Sequence, residues 1–251
     1  MTLRALVWDV DGTLAETERD GHRVAFNRAF AEAGLPWQWD EAHYGELLAV
    51  AGGRERLLHD LQRRDRLPTG TVSREQLAEQ LHLGKGRHYA RILAAERVPL
   101  REGVAELIEE CAQRSVQLAI ATTTGRANVE ALLAPHFGPD WERRFACVMC
   151  AEQAPRKKPD PQVYLRVLDA LGAMPAEVLA IEDSPAGAAA ARAAGIAVVV
   201  VRSQYFADAD IGAVLAVGPS LGSGQGWSPA AARLAERIGL RQLEDWLATA
   251  R

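Results

Sequence analysis

The sequence predicts an α/β fold in which a parallel sheet is covered on both faces by helices. Short, nearly continuous apolar runs recur along the chain and alternate with helix-like stretches. Apolar runs without a polar alternation are typical of strands buried on both faces, as in parallel sheets. Acidic, hydroxyl and basic residues directly follow several of these runs, at the edge where ligands collect in such folds.

Five apolar runs are predicted as strands, and four later segments as the helices that cover them. The strands are residues 3–8, 116–121, 145–150, 178–181 and 196–201. The helices are residues 104–114, 128–133, 161–171 and 185–194. A final helix is predicted at 229–247, and the glycine- and serine-rich stretch 218–228 before it is expected to be a mobile loop.

The interval 16–99 has a different character, because its apolar residues follow a helical spacing and no comparable strand occurs in it. Amphipathic helices are predicted at 19–33, 41–50, 54–63 and 73–95. We therefore predict a Rossmann-like α/β domain made of residues 1–15 and 100–251, which carries the catalytic residues. An all-helical domain at 16–99 would be inserted after its first strand.

Composition excludes several classes of protein. The chain has 251 residues, of which 48% are hydrophobic and 25% charged, as in soluble globular proteins. A net charge of −4 disfavours binding to nucleic acid or to acidic membranes, and no apolar run has the length of a membrane helix. Cys147 and Cys150 are interpreted as part of a buried apolar strand rather than as a metal or redox site. A cytoplasmic location is predicted.

Two acidic pairs follow predicted strands. Asp9 and Asp11 lie in the turn DVDGT, where one carboxylate can act as a metal-binding nucleophile and the other as an acid and base. An ordinary DG turn is the alternative. Glu182 and Asp183 follow the strand at 178–181, and adjacent buried carboxylates are costly unless a hard cation such as Mg²⁺ binds them. A helix N-cap made by Asp183 or Ser184 is the alternative and is compatible with that role.

Two further motifs could bind phosphate. Thr122, Thr123 and Thr124 follow the second strand, and their hydroxyl and backbone N–H groups could hold phosphate oxygens, although turn chemistry alone explains such a run. Lys158 lies in RKKPDP at 156–161, which could equally be a solvated basic loop. Taken together, the four motifs supply a carboxylate nucleophile, an acid and base, a Mg²⁺ site and a phosphate clamp.

These motifs resemble those of the haloacid dehalogenase superfamily of phosphatases along nearly the whole chain. The matching segments are DVDGT at 9–13, LAIAT at 118–122, KPDP at 158–161 and EDSPAGAAAARAAG at 182–195. The resemblance implies a Rossmann-like core with a helical cap inserted after the first motif. It also implies that Asp9 forms an aspartyl-phosphate, that Asp11 is the acid and base, and that Thr122 and Lys158 bind the phosphoryl group. Mg²⁺ would be held by Asp9, the Asp11 carbonyl, Asp183 and, directly or through water, Glu182.

Within the superfamily the chain is most similar to the CbbY-type sugar-phosphate phosphatases, in a branch with β-phosphoglucomutase and phosphoglycolate phosphatase. This similarity is carried by DGTLAETE at 11–18, GGRER at 52–56 and ATTTGRANVEAL at 121–132. The chain departs from that pattern at Arg54, where GGKER has lysine, and in a longer region at 206–227. The similarity implies a phosphatase acting on a small phosphorylated sugar, xylulose-1,5-bisphosphate. We expect the protein to be a monomer.

Substrate selection is expected from the helical insert, because the core contacts only the phosphoryl group that is transferred. Glu18 could accept hydrogen bonds from sugar hydroxyls, and Arg54 or Arg56 could bind a second phosphate as a planar fork. His22 and Tyr44 complete the candidate set. The alternatives are a phosphosugar mutase, a phosphoglycolate phosphatase and a binding module without catalytic activity.

Overall fold

The chain folds as two compact units in a computed structural model that describes residues 3–64, 67, 73–96 and 98–249. The α/β unit comprises the described residues up to Glu16 together with Pro99–Arg126 and those from Phe137 onward. The helical unit comprises the described residues of Thr17–Val98 together with Ala127–His136. Residues 127–136, which were expected in the domain at 100–251, thus group with the helical unit instead.

The α/β unit is built on a parallel sheet with the strand order β3-β2-β1-β4-β5-β6. The strands are β1 Ala5–Trp8, β2 Gln117–Ala121, β3 Cys147–Met149, β4 Val178–Glu182, β5 Ala197–Val201 and β6 Ala216–Gly218. All four residues of β1 and all five of β4 are buried, as their apolar composition predicts. The strand order reverses between β1 and β4, the place where such folds bind ligands. The predicted fold class is confirmed.

Helices of the α/β unit cover the sheet with amphipathic faces. Their bounds are α5 Val104–Gln113, α7 Gln162–Leu171, α8 Pro185–Ala193 and α9 Leu240–Thr249. Helix α6 Arg126–Phe137 has nearly all of its residues in the helical unit. Helix α7 buries Val163, Tyr164, Val167, Leu168 and Leu171, a spacing that places one helical face on the core. Helix α8 begins after Ser184, whose side chain accepts a hydrogen bond from the Gly187 N–H.

The helical unit has an aromatic core. After a π-helical turn at Glu18–Arg23 come α1 Val24–Glu32, α2 Glu41–Leu47, α3 Gly53–Gln62 and α4 Arg74–Glu96. Phe26, Phe30, Trp39 and Tyr44 are buried together, with Trp39 against both phenylalanines at ring-centroid distances of 4.7 and 5.0 Å. The prediction of an inserted all-helical domain is confirmed, although the helix expected at 19–33 begins as a π-helix.

The C-terminal region differs from its prediction. The helix expected at 229–247 begins only at Leu240, and residues 229–239 have irregular backbone with bends and one short turn. The stretch expected to be a mobile loop is folded onto the sheet edge, where Val217 in the undetected strand β6 pairs with Ser228. The buried Trp227 indole donates hydrogen bonds to the carbonyls of Ser220 and Ser223, both at 3.0 Å.

The cysteine pair lies at the other edge of the sheet. Cys147 belongs to β3, which is half-buried rather than fully buried as predicted, because it is an edge strand. Cys147 and Cys150 are both free thiols, and burial raises the pKa of each to about 11. Among the helices of the described residues, none is both long and apolar enough to cross a membrane.

Candidate active site

Asp9 follows the buried strand β1 and is itself only 7% exposed. Its N–H donates to the Ile181 carbonyl at 3.0 Å, which fixes it beside the end of β4. The chain then turns sharply at Gly12, where φ is +87° and a Cβ would lie 2.1 Å from Asp183 Oδ2. Glycine is required there both by the backbone conformation and by the close approach of Asp183.

Lys158 forms hydrogen bonds at the ends of three neighbouring strands. Its ammonium group donates to Asp9 Oδ1 and Glu182 Oε1, both at 2.6 Å, and to the carbonyl of Ala121 at 2.8 Å. Asp9 follows β1, Ala121 ends β2 and Glu182 ends β4. All three N–H donors of the ammonium are therefore used, and the buried charge lies against two carboxylates.

Tyr164 is a part of this cluster that the sequence pattern did not reveal. Its hydroxyl donates to Glu182 Oε1 at 2.5 Å, and its ring lies 5.2 Å from the Lys158 ammonium. Tyr164 is fully buried on the apolar face of α7, where an aromatic residue is normally interpreted as core packing. Only its position after KPDP could have connected it with the site.

Burial is the largest influence on the pKa values of Asp9 and Asp183. It raises the pKa of Asp9 to about 8, and Glu182 and Asp11 act in the same direction while Lys158 opposes them. Burial also raises the pKa of Asp183 well above its usual range, although Ser203 acts to lower it. For Lys158, burial opposes the charge, but Asp9 and Glu182 together raise its pKa.

The acidic cluster fits a hard divalent cation. Within the part of the chain that the structure describes, Asp9, Glu182 and Asp183 form a group whose carboxylate oxygens lie within 4.8 Å of one another. Carboxylate oxygens are the ligands that Mg²⁺ prefers. A cation there would offset the raised pKa values of Asp9 and Asp183, because it stabilises their ionised forms.

The remaining predicted residues of the core lie along the same edge of the sheet. Asp11 is half-buried in the turn after β1, and its backbone pairs with Ala15. Thr122 directly follows Ala121 at the end of β2, is buried, and accepts a hydrogen bond from the Thr124 N–H at 3.1 Å. Thr123 and Thr124 are half-buried. These threonines thus combine hydroxyl groups with a turn of backbone N–H groups.

Three predicted residues of the helical unit form one hydrogen-bonded network. Tyr44 donates its hydroxyl hydrogen to Glu18 Oε2, and Arg56 Nη1 donates to the Tyr44 oxygen at 2.7 Å. Arg56 also lies 3.6 Å from Glu18 Oε2 and donates from Nε to the Leu47 carbonyl at 3.1 Å. Arg56 and Tyr44 are both buried, so the arginine holds the tyrosine and the glutamate in place.

His22 and Arg54 lie outside that network. The buried His22 has its Nδ1 at 2.6 Å from the Lys85 ammonium, and its ring stacks on Tyr89 with centroids 4.0 Å apart. Lys85 is a buried polar residue that the sequence reasoning did not single out. Arg54 is partly exposed and forms an ion pair with Glu79 at 2.7 Å.

The parallel α/β fold and the cluster of Lys158 with Asp9, Glu182 and Asp183 are those expected of a haloacid dehalogenase-like enzyme. Comparison with known families agrees with this class. Residues 3–195 match the sequence profile of the haloacid dehalogenase-like hydrolases. The chain belongs to this family.

Relatives at high identity narrow the class further. Protein CbbY from a plasmid of Cupriavidus necator is 47% identical over 220 residues, which cover 88% of this chain and 86% of that protein. Protein CbbY of Rhodobacter capsulatus is 46% identical over 213 residues, with 85% and 91% coverage. A crystal structure of mutant CbbY from Rhodobacter sphaeroides in complex with xylulose-1,5-bisphosphate has a TM-score of 0.81 and 34% identity, covering 87% of this chain and 95% of that one. The predicted resemblance and the prediction of an enzyme, a phosphatase of this family, are confirmed.

Proposed function

We propose that the enzyme hydrolyses a phosphate ester of a small sugar, most specifically xylulose-1,5-bisphosphate, with Mg²⁺ and through an aspartyl-phosphate. The observation that carries this proposal is the position of the Lys158 ammonium between Asp9 and Glu182 at the strand ends. The similarity to CbbY, whose mutant was crystallised with xylulose-1,5-bisphosphate, supports the choice of substrate.

In the first step, a carboxylate oxygen of Asp9 attacks phosphorus, so that an O–P bond forms to Asp9 while the P–O bond to the sugar breaks. Asp11 gives its proton to the departing sugar oxygen. In the second step, Asp11 takes a proton from water, whose oxygen attacks phosphorus and releases Asp9 and inorganic phosphate. Asp9 must be ionised to attack, and Lys158 favours that form by lowering the pKa of Asp9.

Asp9, Asp183 and the backbone carbonyl of Asp11 would hold the Mg²⁺, with Glu182 contributing directly or through water. When bound there, the cation supplies positive charge to the phosphoryl oxygens. Glu182 also accepts hydrogen bonds from Lys158 and Tyr164 on a single oxygen, Oε1. We therefore propose that Glu182 also orients the Lys158 side chain.

Lys158 and the threonine turn would bind the phosphoryl oxygens, with Lys158 exchanging one of its three present acceptors for the ligand. The Thr122 hydroxyl lies at the end of the strand whose Ala121 carbonyl already anchors Lys158. Backbone N–H groups near Thr123 and the hydroxyl of Thr124 add donors. Preorganised donors of this kind stabilise the charge that develops during phosphoryl transfer.

Residues of the helical unit would select the sugar. Glu18 and Tyr44 can hydrogen-bond to hydroxyl groups, and we assign Arg56 to hold them because it contacts both. Arg54 is partly exposed, so it is our candidate for contact with the second phosphate, where it would exchange Glu79 for the ligand. His22 would contribute to selection of the sugar indirectly, through its contact with Lys85.

A phosphate-release screen tests the proposal. Purified enzyme with Mg²⁺ is offered xylulose-1,5-bisphosphate, ribulose-1,5-bisphosphate, 2-phosphoglycolate and glucose phosphates, and kcat/KM is compared. We expect the highest value for xylulose-1,5-bisphosphate. Strong activity on 2-phosphoglycolate with none on the bisphosphates would overturn the substrate, and conversion of a hexose 1-phosphate without phosphate release would indicate a mutase. Absence of turnover on every compound would indicate a binding module.

The enzyme is further proposed to be a cytoplasmic monomer. Three free cysteines are in keeping with a reducing compartment. Cell fractionation and size-exclusion chromatography with light scattering test these two proposals.

A further inference from the structure

Arg101 connects three strand ends around the acidic cluster through its guanidinium group. Its Nη1 donates to the carbonyls of Gly12 and, at 3.0 Å, Val201. Its Nη2 donates to the carbonyls of Arg202 at 2.6 Å and Pro219 at 3.0 Å. Gly12 lies in the turn after β1, Val201 ends β5, and Pro219 follows β6. One side chain therefore binds four carbonyl groups on segments far apart in sequence.

This arginine is largely buried, with 11% of its side chain exposed. Burial lowers the pKa of its guanidinium group, while Glu16 and Asp183 act to raise it. Its backbone N–H also donates to the Leu14 carbonyl at 2.8 Å. Hydrogen bonds from a charged donor in a buried setting are stronger and more directional than neutral ones, so this side chain restrains the segments it binds.

The segments that Arg101 restrains enclose Asp183. A Cβ on Gly12 would lie 2.1 Å from Asp183 Oδ2 and 3.2 Å from Ser203 Cβ, so these three residues are in close contact. Ser203 directly follows Arg202, whose carbonyl Arg101 binds, and it acts to lower the pKa of Asp183. A shift of either the Gly12 turn or the segment before Ser203 would displace the carboxylate between them.

We propose that Arg101 is a positioning residue of the active site: it fixes the separation of the Gly12 turn and the segment before Ser203. By doing so it orients the Asp183 carboxylate and the turn that carries Asp11. This inference rests on the proposed function, because it assigns Arg101 to the geometry of the proposed Mg²⁺ and phosphoryl site. Residues behind a metal site often change affinity or activity by about 10–100-fold when they are removed.

Arg192 provides a matched control. Its Nη1 donates to the carbonyls of Ile211 at 2.9 Å and Ala213 at 2.8 Å, so it is also an arginine that ties loop carbonyls together. It belongs to α8 in the same unit but binds none of the segments around Asp183. Replacing Arg192 with alanine therefore measures how the loss of arginine–carbonyl hydrogen bonds affects stability, without a change around Asp183.

The experiment compares Arg101→Ala, Arg101→Lys and Arg192→Ala with the wild-type enzyme. We measure kcat and KM for phosphate release, the Kd for Mg²⁺ by calorimetry without substrate, and amide hydrogen exchange at residues 10–15. For Arg101→Ala we expect kcat to fall and Kd to rise by about 10–100-fold, with KM nearly unchanged. Exchange at 10–15 should accelerate, and methylguanidinium should restore part of the lost kcat. Arg101→Lys should be intermediate, since an ammonium group has three donors for four carbonyls.

Arg192→Ala is expected to keep the wild-type kcat, Mg²⁺ affinity and exchange rates. Wild-type values in Arg101→Ala would overturn the proposal, and so would equal losses of activity in Arg101→Ala and Arg192→Ala. If Arg101→Ala does not fold, Arg101→Lys carries the test, and an unchanged kcat in that variant contradicts the proposal. If the wild-type enzyme itself fails to bind Mg²⁺, the proposed function is wrong, whereas exchange at 10–15 still tests whether Arg101 restrains the turn.

Discussion

Replacing Lys158 with methionine tests the charge balance of the active site. Methionine keeps an unbranched apolar stem but removes the ammonium group that contacts Asp9, Glu182 and the Ala121 carbonyl. Breaking a buried ion pair by removing one partner costs about 3–5 kcal/mol, because the remaining charge stays buried. At about 2–4 °C per kcal/mol for a chain of this size, the unfolding temperature should fall by roughly 6–20 °C.

The loss of stability should also depend on pH. Burial raises the pKa of Asp9 to about 8 while Lys158 acts to lower it, so the variant should have an even higher pKa at Asp9. A carboxyl group with a raised pKa binds more protons in the folded state, and stability therefore falls as pH rises toward that pKa. In the wild-type protein this decline ends near pH 8. In Lys158→Met it continues to higher pH, so the difference between the two proteins should widen above pH 8.

Thermal unfolding of the metal-free proteins, followed by circular dichroism on both sides of pH 8, measures this effect, and a phosphate-release assay with Mg²⁺ measures activity. Lys157→Met is the matched control, because it makes the same chemical change one residue away. We expect it to cost less than about 1 kcal/mol and to keep its activity. Wild-type stability in Lys158→Met, or a stability loss that is the same below and above pH 8, would refute the reasoning.

Two further substitutions test neighbouring contacts. Tyr164→Phe removes only the hydroxyl that donates to Glu182. It should lower the free energy of unfolding, measured by denaturant titration, by about 1.5–3 kcal/mol and should reduce kcat. Unchanged values of both quantities would show that this hydrogen bond contributes nothing. Gly12→Ala would place a Cβ 2.1 Å from Asp183 Oδ2 and should abolish phosphate release. Gly138→Ala, at a φ of +84° and with no described residue within 4 Å of the added Cβ, should show the backbone strain alone and retain activity. Equal activity in the two glycine variants would contradict the account.

The central sheet and the acidic cluster could be predicted because local sequence encodes both. Each apolar run of the sheet interior is short and continuous, and the residues that follow it are chemically distinctive, as at Trp8 and Asp9. Once the strands are parallel, topology places their C-terminal residues at one edge. The contacts of Lys158 with Asp9 and Glu182 agree with that reasoning, although the lysine lies in a loop.

Other features depend on long-range packing that the sequence pattern does not display. Tyr164 has the position of an ordinary core residue in α7. Only its hydrogen bond to Glu182 shows that its hydroxyl group belongs to the site. Arg101 binds carbonyls of residues about 90–120 positions away, which no local motif indicates. Strand β6 has three residues, too few for a periodic signal. The helix predicted at 229–247 includes Gly239, whereas the helix in the structure begins at Leu240.

The most direct test of the central claim is phosphate release from xylulose-1,5-bisphosphate by the wild-type enzyme and by Asp9→Asn, each with Mg²⁺ and with a chelator. The substitution keeps the size of the side chain but removes the carboxylate to which we assign the attack on phosphorus. We predict rapid release by the wild-type enzyme with Mg²⁺, and none by Asp9→Asn or after chelation. Undiminished hydrolysis by Asp9→Asn would contradict the assignment of Asp9 as the nucleophile.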